Sequence, residues 1–367
     1  YPLCERDFKN LMPKIFFTGG GTAGHVTPNI ALIRELYSDY EIGYVGESSS
    51  VEEKLISSIS VPFFRIKSGK LRRYFSIKNI FDPFKVIVGF LQSIRLCIRE
   101  RPDLVFSKGG YVAVPLVLAA RVLKIPIIAH ESDVTPGLAN RLTFPFCSKI
   151  CLTFPATGRQ LSDNRVLVTG TPLRRALLDA DARKGLKLLS FDNNLPILLI
   201  FGGSKGARFL NELIFRLRDR LLESFNIVHI TGEGNYSCER EMKGYIQREF
   251  LRQDFGDVLA AASVVVSRAG ANSIYELLSL RKPHLLVPLP KEASRGDQLE
   301  NARKFHELGY SRYIEEALLT DDNFIQEIKN LLETKTSIEK RLANFRAPDS
   351  VSMIVKEIKK ITGHPIV

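Results

Sequence analysis

At 367 residues with 45% apolar composition, the chain is too long for one ordinary doubly wound domain and has the material for two cores. Its 52 basic against 40 acidic residues give a net charge of +12, which points to an anionic partner: a phosphate-bearing substrate, an acidic membrane surface or nucleic acid. The cysteines Cys4, Cys97, Cys147, Cys151 and Cys238 form no CxxC pair, which argues against a disulfide framework or a zinc site, and no apolar run reaches the roughly 18 residues a membrane helix requires.

Residues 1–11 are polar and charged rather than an apolar signal segment, and are read as a dispensable extension ahead of Met12. Short β-rich runs at 14–18, 41–45, 62–66, 104–107 and 125–129 alternate with helix-length amphipathic stretches, predicting an array of buried parallel strands. A second array follows, with strands at 197–201, 227–231, 264–267 and 284–288, each closed by glycine or proline. Two Rossmann-like, doubly wound α/β units in tandem are therefore expected, facing a cleft. The turn-rich stretch 168–174 (VTGTPLR) is the predicted hinge. It sets domains of 12–170 and 171–346, with a last helix at about 347–363 packing back on the first.

Open α/β sheets bind ligands beyond the carboxyl ends of their strands, so the strand-to-helix loops are where chemistry is sought. The first, Gly19-Gly20-Gly21-Thr22-Ala23-Gly24, satisfies GxGxxG after a strand, and Glu47 stands where a ribose-binding acid would. An NAD-binding oxidoreductase is thus one reading. Against it stand two more glycine turns after strands, Ser107-Lys108-Gly109-Gly110-Tyr111 and Gly202-Gly203-Ser204-Lys205-Gly206. Glycine lets backbone N–H groups approach phosphate oxygens, and the following helix start favours the anion. Repeated turns suit a phosphate donor and a phosphate-bearing acceptor, the latter held by Gly20, Gly21, Gly109, Gly110 and Tyr111.

His25 opens the helix after the first loop, where the helix dipole favours a neutral, base-competent imidazole. His130-Glu131-Ser132-Asp133 ends a strand and brings two carboxylates to the ligand edge; the plainer alternative is helix capping by Asp133 with Glu131 solvated. In the second half, Ser267 to Glu276 (SRAGANSIYE) is strand, small-residue turn and helix start. The amides there suit a diphosphate and the Glu276 carboxylate a pair of ribose hydroxyls. The Ser294-Arg295-Gly296-Asp297-Gln298 run offers groups for sugar hydroxyls.

Taken in order, GGGTAGH, SKGGYVAVP, HESDVTPGLAN, GTPLRR, GGSKGAR, SRAGANSIYE and DQLENA resemble the MurG family of UDP-N-acetylglucosamine transferases over roughly residues 12–363, with SGKLRRY, HESD and SRGDQ most like its staphylococcal variant. The resemblance implies a GT-B glycosyltransferase that inverts, needs no metal or cofactor, and converts lipid I to lipid II on the cytoplasmic face of the bacterial membrane. Lipid I, UDP-GlcNAc and cell-wall assembly proteins are the implied partners. On the donor it implies Ser204 and Arg174 at the diphosphate, Leu251 at uracil, Ala271, Asn272, Ser273, Ile274, Tyr275 and Glu276 at phosphate and ribose, and Gln298 with Asp133 at the sugar. Thr22, Ala23 and Gly24 reach the donor from the other domain, and His25 is the base, with Glu131 as substitute or orienting partner. Ala23, Ser132-Asp133, Thr171 and Lys205 depart from the commoner pattern, Asp133 most of all because an acid replaces an amide.

Lys70, Arg72, Arg73 and Phe75, with Phe81 and Phe84, form a basic and aromatic patch suited to an anionic membrane surface. The nearest rival is a diacylglycerol glycosyltransferase of the same architecture. Nucleic acid is set aside, for no aromatic-interleaved basic motif or reader module is present.

Overall fold

A computed structural model describes residues 12–21, 23–69, 78–158, 164–203, 206–240, 242–251, 253–291, 293–294 and 296–364. The extension 1–11 lies outside them, as do Thr22, Lys70, Arg72, Arg73, Phe75, Ser204 and Lys205, and the side chains of Ala23 and Phe81. The chain divides into two compact units, residues 1–172 with 348–367, and residues 173–347.

The first unit runs β1 (Lys14–Thr18), α1 (Ala23–Leu36), β2 (Glu41–Gly46), α2 (Val51–Ser57), β3 (Phe63–Arg65), α3 (Lys78–Glu100), β4 (Leu104–Ser107), α4 (Ala113–Val122), β5 (Ile127–Glu131), α5 (Leu138–Thr143), β6 (Lys149–Leu152), α6 (Pro155–Gly158) and β7 (Val166–Val168). All seven strands are parallel, in the order β3-β2-β1-β4-β5-β6-β7. A strand buried on both faces reads as an unbroken apolar run, and its period of two then splits the residues between two cores. Ile15 and Phe17 of β1, with Leu104 and Phe106 of β4, enter the core shared with α1, whereas Phe16 and Val105 enter the one shared with α3 and α4.

The second unit runs α7 (Arg175–Leu178), α8 (Ala182–Leu189), β8 (Ile197–Phe201), α9 (Arg208–Leu222), β9 (Asn226–Ile230), β10 (Tyr245–Arg248), α10 (Phe255–Ala261), β11 (Val264–Ser267), α11 (Ala271–Ser279), β12 (His284–Leu286), α12 (Asp297–Glu307), β13 (Arg312–Tyr313), α13 (Asp321–Glu333) and α14 (Lys335–Leu342). Its six strands are also parallel, ordered β10-β9-β8-β11-β12-β13. In both units the first strand lies beside the fourth, so the order reverses at β1/β4 and at β8/β11. These are the switch points beyond which doubly wound sheets hold ligands.

The last helix, α15 (Ser350–Thr362), belongs to the first unit. Asp349 caps it by accepting the Ser352 N–H at 3.1 Å, and Gly363 ends it in the left-handed conformation. Ile354 and Ile358 complete the α1 core, while Lys359 pairs with Asp39 at 2.9 Å and Thr362 meets the Tyr40 hydroxyl at 2.9 Å. Burying two isoleucines contributes about 1.5–3 kcal/mol each, enough to decide where this helix docks.

Candidate active site

In the first unit the loops after β1 and β4 nest at the switch point. Gly110 has φ +82°, and a Cβ there would stand 2.5 Å from the Gly20 carbonyl oxygen, so these two turns meet only as glycine. The Tyr44 hydroxyl donates to the Gly19 carbonyl at 2.6 Å and receives the Asn29 amide at 3.3 Å, which pins the first turn from α1 and β2. Glu52 of α2, 1% exposed, accepts the Gly21 N–H; burial raises its carboxyl above the usual range. Tyr111 lies against Gly21 and donates to Glu47 at 3.3 Å. Thus Gly20, Gly21, Gly109, Gly110 and Tyr111 are brought together, and His25 sits half-buried in the first turn of α1, directly after the same loop.

The segment after β5 corrects one expectation. Glu131 is neither solvated nor disengaged: it is 4% exposed, and its two oxygens accept from the Asp133 N–H at 3.0 Å, the Gly137 N–H at 2.9 Å and the Asn140 amide at 2.9 Å. That carboxylate organises the turn into α5, where Gly137 is the cap residue, and three donors already engage its two oxygens. Asp133 does not cap α5; it is half-buried, its backbone held by Glu131 and by the Thr157 hydroxyl at 3.2 Å. Beside it, Lys108 is 2% exposed and donates to His130 Nδ1 at 2.5 Å and Ser132 Oγ at 2.7 Å. Neither Lys108 nor Glu52 was singled out from the sequence, because a lysine or glutamate in a loop or short helix is ordinarily a solvated one.

In the second unit the loop after β8 closes with a Gly206 N–H to Gly203 carbonyl bond at 2.8 Å and leads into α9. Beyond β11, Arg268 is buried, donates to the Val287 carbonyl at 3.0 Å and pairs with Glu316, fixing the turn from beneath. Gly270 is the extended cap of α11, and Ala271, Asn272 and Ser273 form its first turn. Ile274 and Tyr275 turn their side chains into the core, Tyr275 edge-on to Phe345 at 5.6 Å, and the Ile274 N–H donates to the Gly270 carbonyl at 3.0 Å.

Glu276 stands further along α11, half-buried, where burial pushes its carboxyl up to about 7 against the opposing charge of Arg174. Arg174 in turn lies over the Phe255 ring, 5.9 Å from its centre. The Arg174 charge thus bears on Glu276, two residues expected at the donor. Gln298 begins α12 and accepts the Leu289 N–H at 3.1 Å, while Leu251 follows β10, half-buried. Among the described residues no group of three potential metal ligands occurs, and no helix is long and apolar enough to cross a membrane.

The glycosyltransferase family 28 N-terminal domain matches residues 15–152, and that family's C-terminal domain matches residues 197–358. A curated protein of Clostridium botulinum (strain Kyoto / Type A2), the UDP-N-acetylglucosamine--N-acetylmuramyl-(pentapeptide) pyrophosphoryl-undecaprenol N-acetylglucosamine transferase, is 48% identical over 353 residues, 96% of this chain and 100% of its own length. The protein of that name from Legionella pneumophila (strain Paris) is 45% identical over 353 residues, covering 95% of this chain and 97% of its own. Among solved structures, Acinetobacter baumannii MurG superposes with a TM-score of 0.74 at 24% identity, covering 95% of this chain and 99% of that one, a likeness of fold.

Proposed function

The chain belongs to glycosyltransferase family 28, and from that premise we propose that it transfers N-acetylglucosamine from UDP-N-acetylglucosamine to the muramoyl sugar of lipid I, forming lipid II. It is a hexosyltransferase of the GT-B fold, with two parallel-sheet Rossmann-like units. The observation that carries the reading is the identity of 48% across 96% of the chain to a protein named for this transfer. Neither the diacylglycerol rival nor the NAD reading has such support.

The reaction is a direct displacement at the anomeric carbon by the C4 hydroxyl of the acceptor, with inversion. His25 takes the hydroxyl proton as the new bond forms, and UDP departs as the anion. In the second unit the amides at the starts of α9 and α11, with Arg174, receive the diphosphate charge; Glu276 accepts the ribose hydroxyls, Gln298 a sugar hydroxyl, and the Leu251 backbone meets uracil. In the first unit the nested turns of Gly20, Gly21, Gly109 and Gly110 hold the acceptor pyrophosphate, and Asp133 accepts a hydroxyl of the donor sugar. No metal is required, because amides and a guanidinium carry the charge a divalent ion would. The test pairs UDP-GlcNAc, UDP-Glc and UDP-Gal with lipid I and diacylglycerol. Product only from UDP-GlcNAc and lipid I, at a rate indifferent to EDTA, is expected; transfer to diacylglycerol alone, or an EDTA loss restored by Mg²⁺, would overturn the respective claim.

We further propose that the enzyme works as a peripheral protein on an anionic membrane at the cytoplasmic face, where its soluble donor is available. Phe84, Ile87 and Leu91 are exposed along one face of α3, with Lys85 beside them, an apolar stripe edged by positive charge on a chain of net charge +12. Basic residues at such a surface contribute about 1 kcal/mol each. Cosedimentation with vesicles containing anionic lipid should therefore succeed, and the Phe84→Ser, Ile87→Ser, Leu91→Ser variant should partition at least about tenfold less. Equal binding of wild type and variant would exclude this face.

A further inference from the structure

We propose that the buried ion pair of Arg268 and Glu316 is a positioning brace for the donor: it ties the turn into α11, which receives diphosphate and ribose, to the turn after β12, which orients Gln298 for the sugar. The inference rests on the function proposed above, and its two residues act through others rather than on the substrate. Their side chains are 8% and 16% exposed. A buried ion pair is a weak source of stability, because desolvating two charges offsets most of their attraction, so a packed apolar pair would hold the fold as well. What the pair does here is geometric. Strands β11, β12 and β13 are neighbours in the sheet, and Arg268 gathers their ends. It follows β11, donates from Nη1 to the carbonyls of Val287 at 3.0 Å and Pro288 at 3.4 Å beyond β12, and pairs with Glu316 in the helical turn Glu316–Leu318 beyond β13.

On the nucleotide side, the Arg268 backbone leads through Ala269 to Gly270, the cap of α11. The Ala269 carbonyl accepts Nδ2 of Asn301, itself buried, at 3.3 Å, a hold on this turn that does not pass through the Arg268 side chain. On the sugar side, Pro288 precedes Leu289, whose N–H donates to Gln298 Oε1 at 3.1 Å. A backbone N–H can only donate, so the amide oxygen of Gln298 is the atom fixed toward Leu289, and the setting of that side chain follows the backbone at 288–289. A displacement of about 1 Å there is enough to misplace a hydrogen bond to the sugar. The two sides therefore differ in what they lose with the brace. The α11 turn keeps its tie to Asn301, whereas the turn that sets Gln298 loses its link to α11.

The experiment titrates UDP and UDP-GlcNAc calorimetrically into wild type, Arg268→Met/Glu316→Leu, Gln298→Ala and the protein carrying all three changes, with Tm measured alongside. Removing both charges together leaves neither buried alone, so Tm is expected to stay near the wild-type value. The pair variant should bind UDP-GlcNAc about tenfold more weakly, the worth of one positioned hydrogen bond, with UDP affinity within about twofold of wild type. Because the brace acts through Gln298, the triple variant should bind UDP-GlcNAc no more weakly than Gln298→Ala alone; independent sites would add. Glu316→Gln keeps an acceptor for the guanidinium and removes only the charge, so it should fold normally and lose UDP-GlcNAc affinity by a smaller factor, which keeps the proposal testable if the pair variant does not fold. Unchanged UDP-GlcNAc binding in the pair variant and in Glu316→Gln, additive losses in the triple variant, or UDP affinity falling in step with that of UDP-GlcNAc overturns the brace. A wild type that binds neither nucleotide overturns the donor reading and the brace with it, whereas a wild type that binds both, with additive losses, overturns the brace alone.

Discussion

Replacing His25 by alanine should lower kcat by about 10²–10⁴-fold while leaving the affinity for UDP unchanged. The argument is one of placement: His25 lies in the first turn of α1, half-buried, at the mouth of the nested glycine turns, whereas Glu131 is spent on structure. Glu131→Gln makes the contrast. An amide offers one acceptor oxygen where the carboxylate offered two, so one or more buried N–H groups lose their partner at a cost of about 1–3 kcal/mol each, which appears as a lower Tm. Steady-state kinetics, calorimetric UDP binding and thermal unfolding on the two variants decide it. Full turnover in His25→Ala together with an inactive, normally stable Glu131→Gln would hand the base to Glu131.

Glu276 should make donor affinity depend on pH. Its carboxyl is pushed up to about 7 by burial, so in the unliganded protein it is ionised above that pH and protonated below it. The ribose hydroxyls need the carboxylate as acceptor, so binding of UDP-GlcNAc, whose own pyrophosphate stays ionised in this range, weakens as pH falls through 7 and levels off above it. The Kd should rise roughly tenfold between pH 8 and 6, since each unit below the pKa leaves a tenth of the carboxylate. Glu276→Gln should bind about 10- to 100-fold more weakly at pH 8, the worth of charge-assisted hydrogen bonds, and show no such slope. Titration calorimetry across pH on both proteins is the measurement; a slope that persists in the glutamine variant would place the titrating group elsewhere.

The long apolar strands were plain from composition: β1, β4, β8 and β11 fall on the runs 14–18, 104–107, 197–201 and 264–267, because a strand buried on both faces has to be apolar throughout. The strands that escaped, KICL of β6, VLV of β7, YIQR of β10 and RY of β13, are short and mostly polar-flanked, and gain their place from the neighbour they pair with rather than from their own pattern. The glycine turns could be read because their chemistry is local. Glu52 and Lys108 could not, since each acts through a partner distant in sequence, and only the fold says that a short-helix glutamate meets a glycine amide or that a loop lysine is buried. Ile274 and Tyr275 show the converse: they sit inside the run expected at the donor, yet at the helix positions that face the core.

The membership of α15 in the first unit bears on the order in which the protein is made. Residues 173–347 close upon themselves, while the earlier unit lacks Ile354 and Ile358 until residues 350–362 have left the ribosome. The later half of the nascent polypeptide can thus finish folding while the earlier half still has an open apolar seam, the reverse of the usual vectorial order. An arrest of translation at residue 347 would leave that seam uncovered, a nascent species for chaperones to hold.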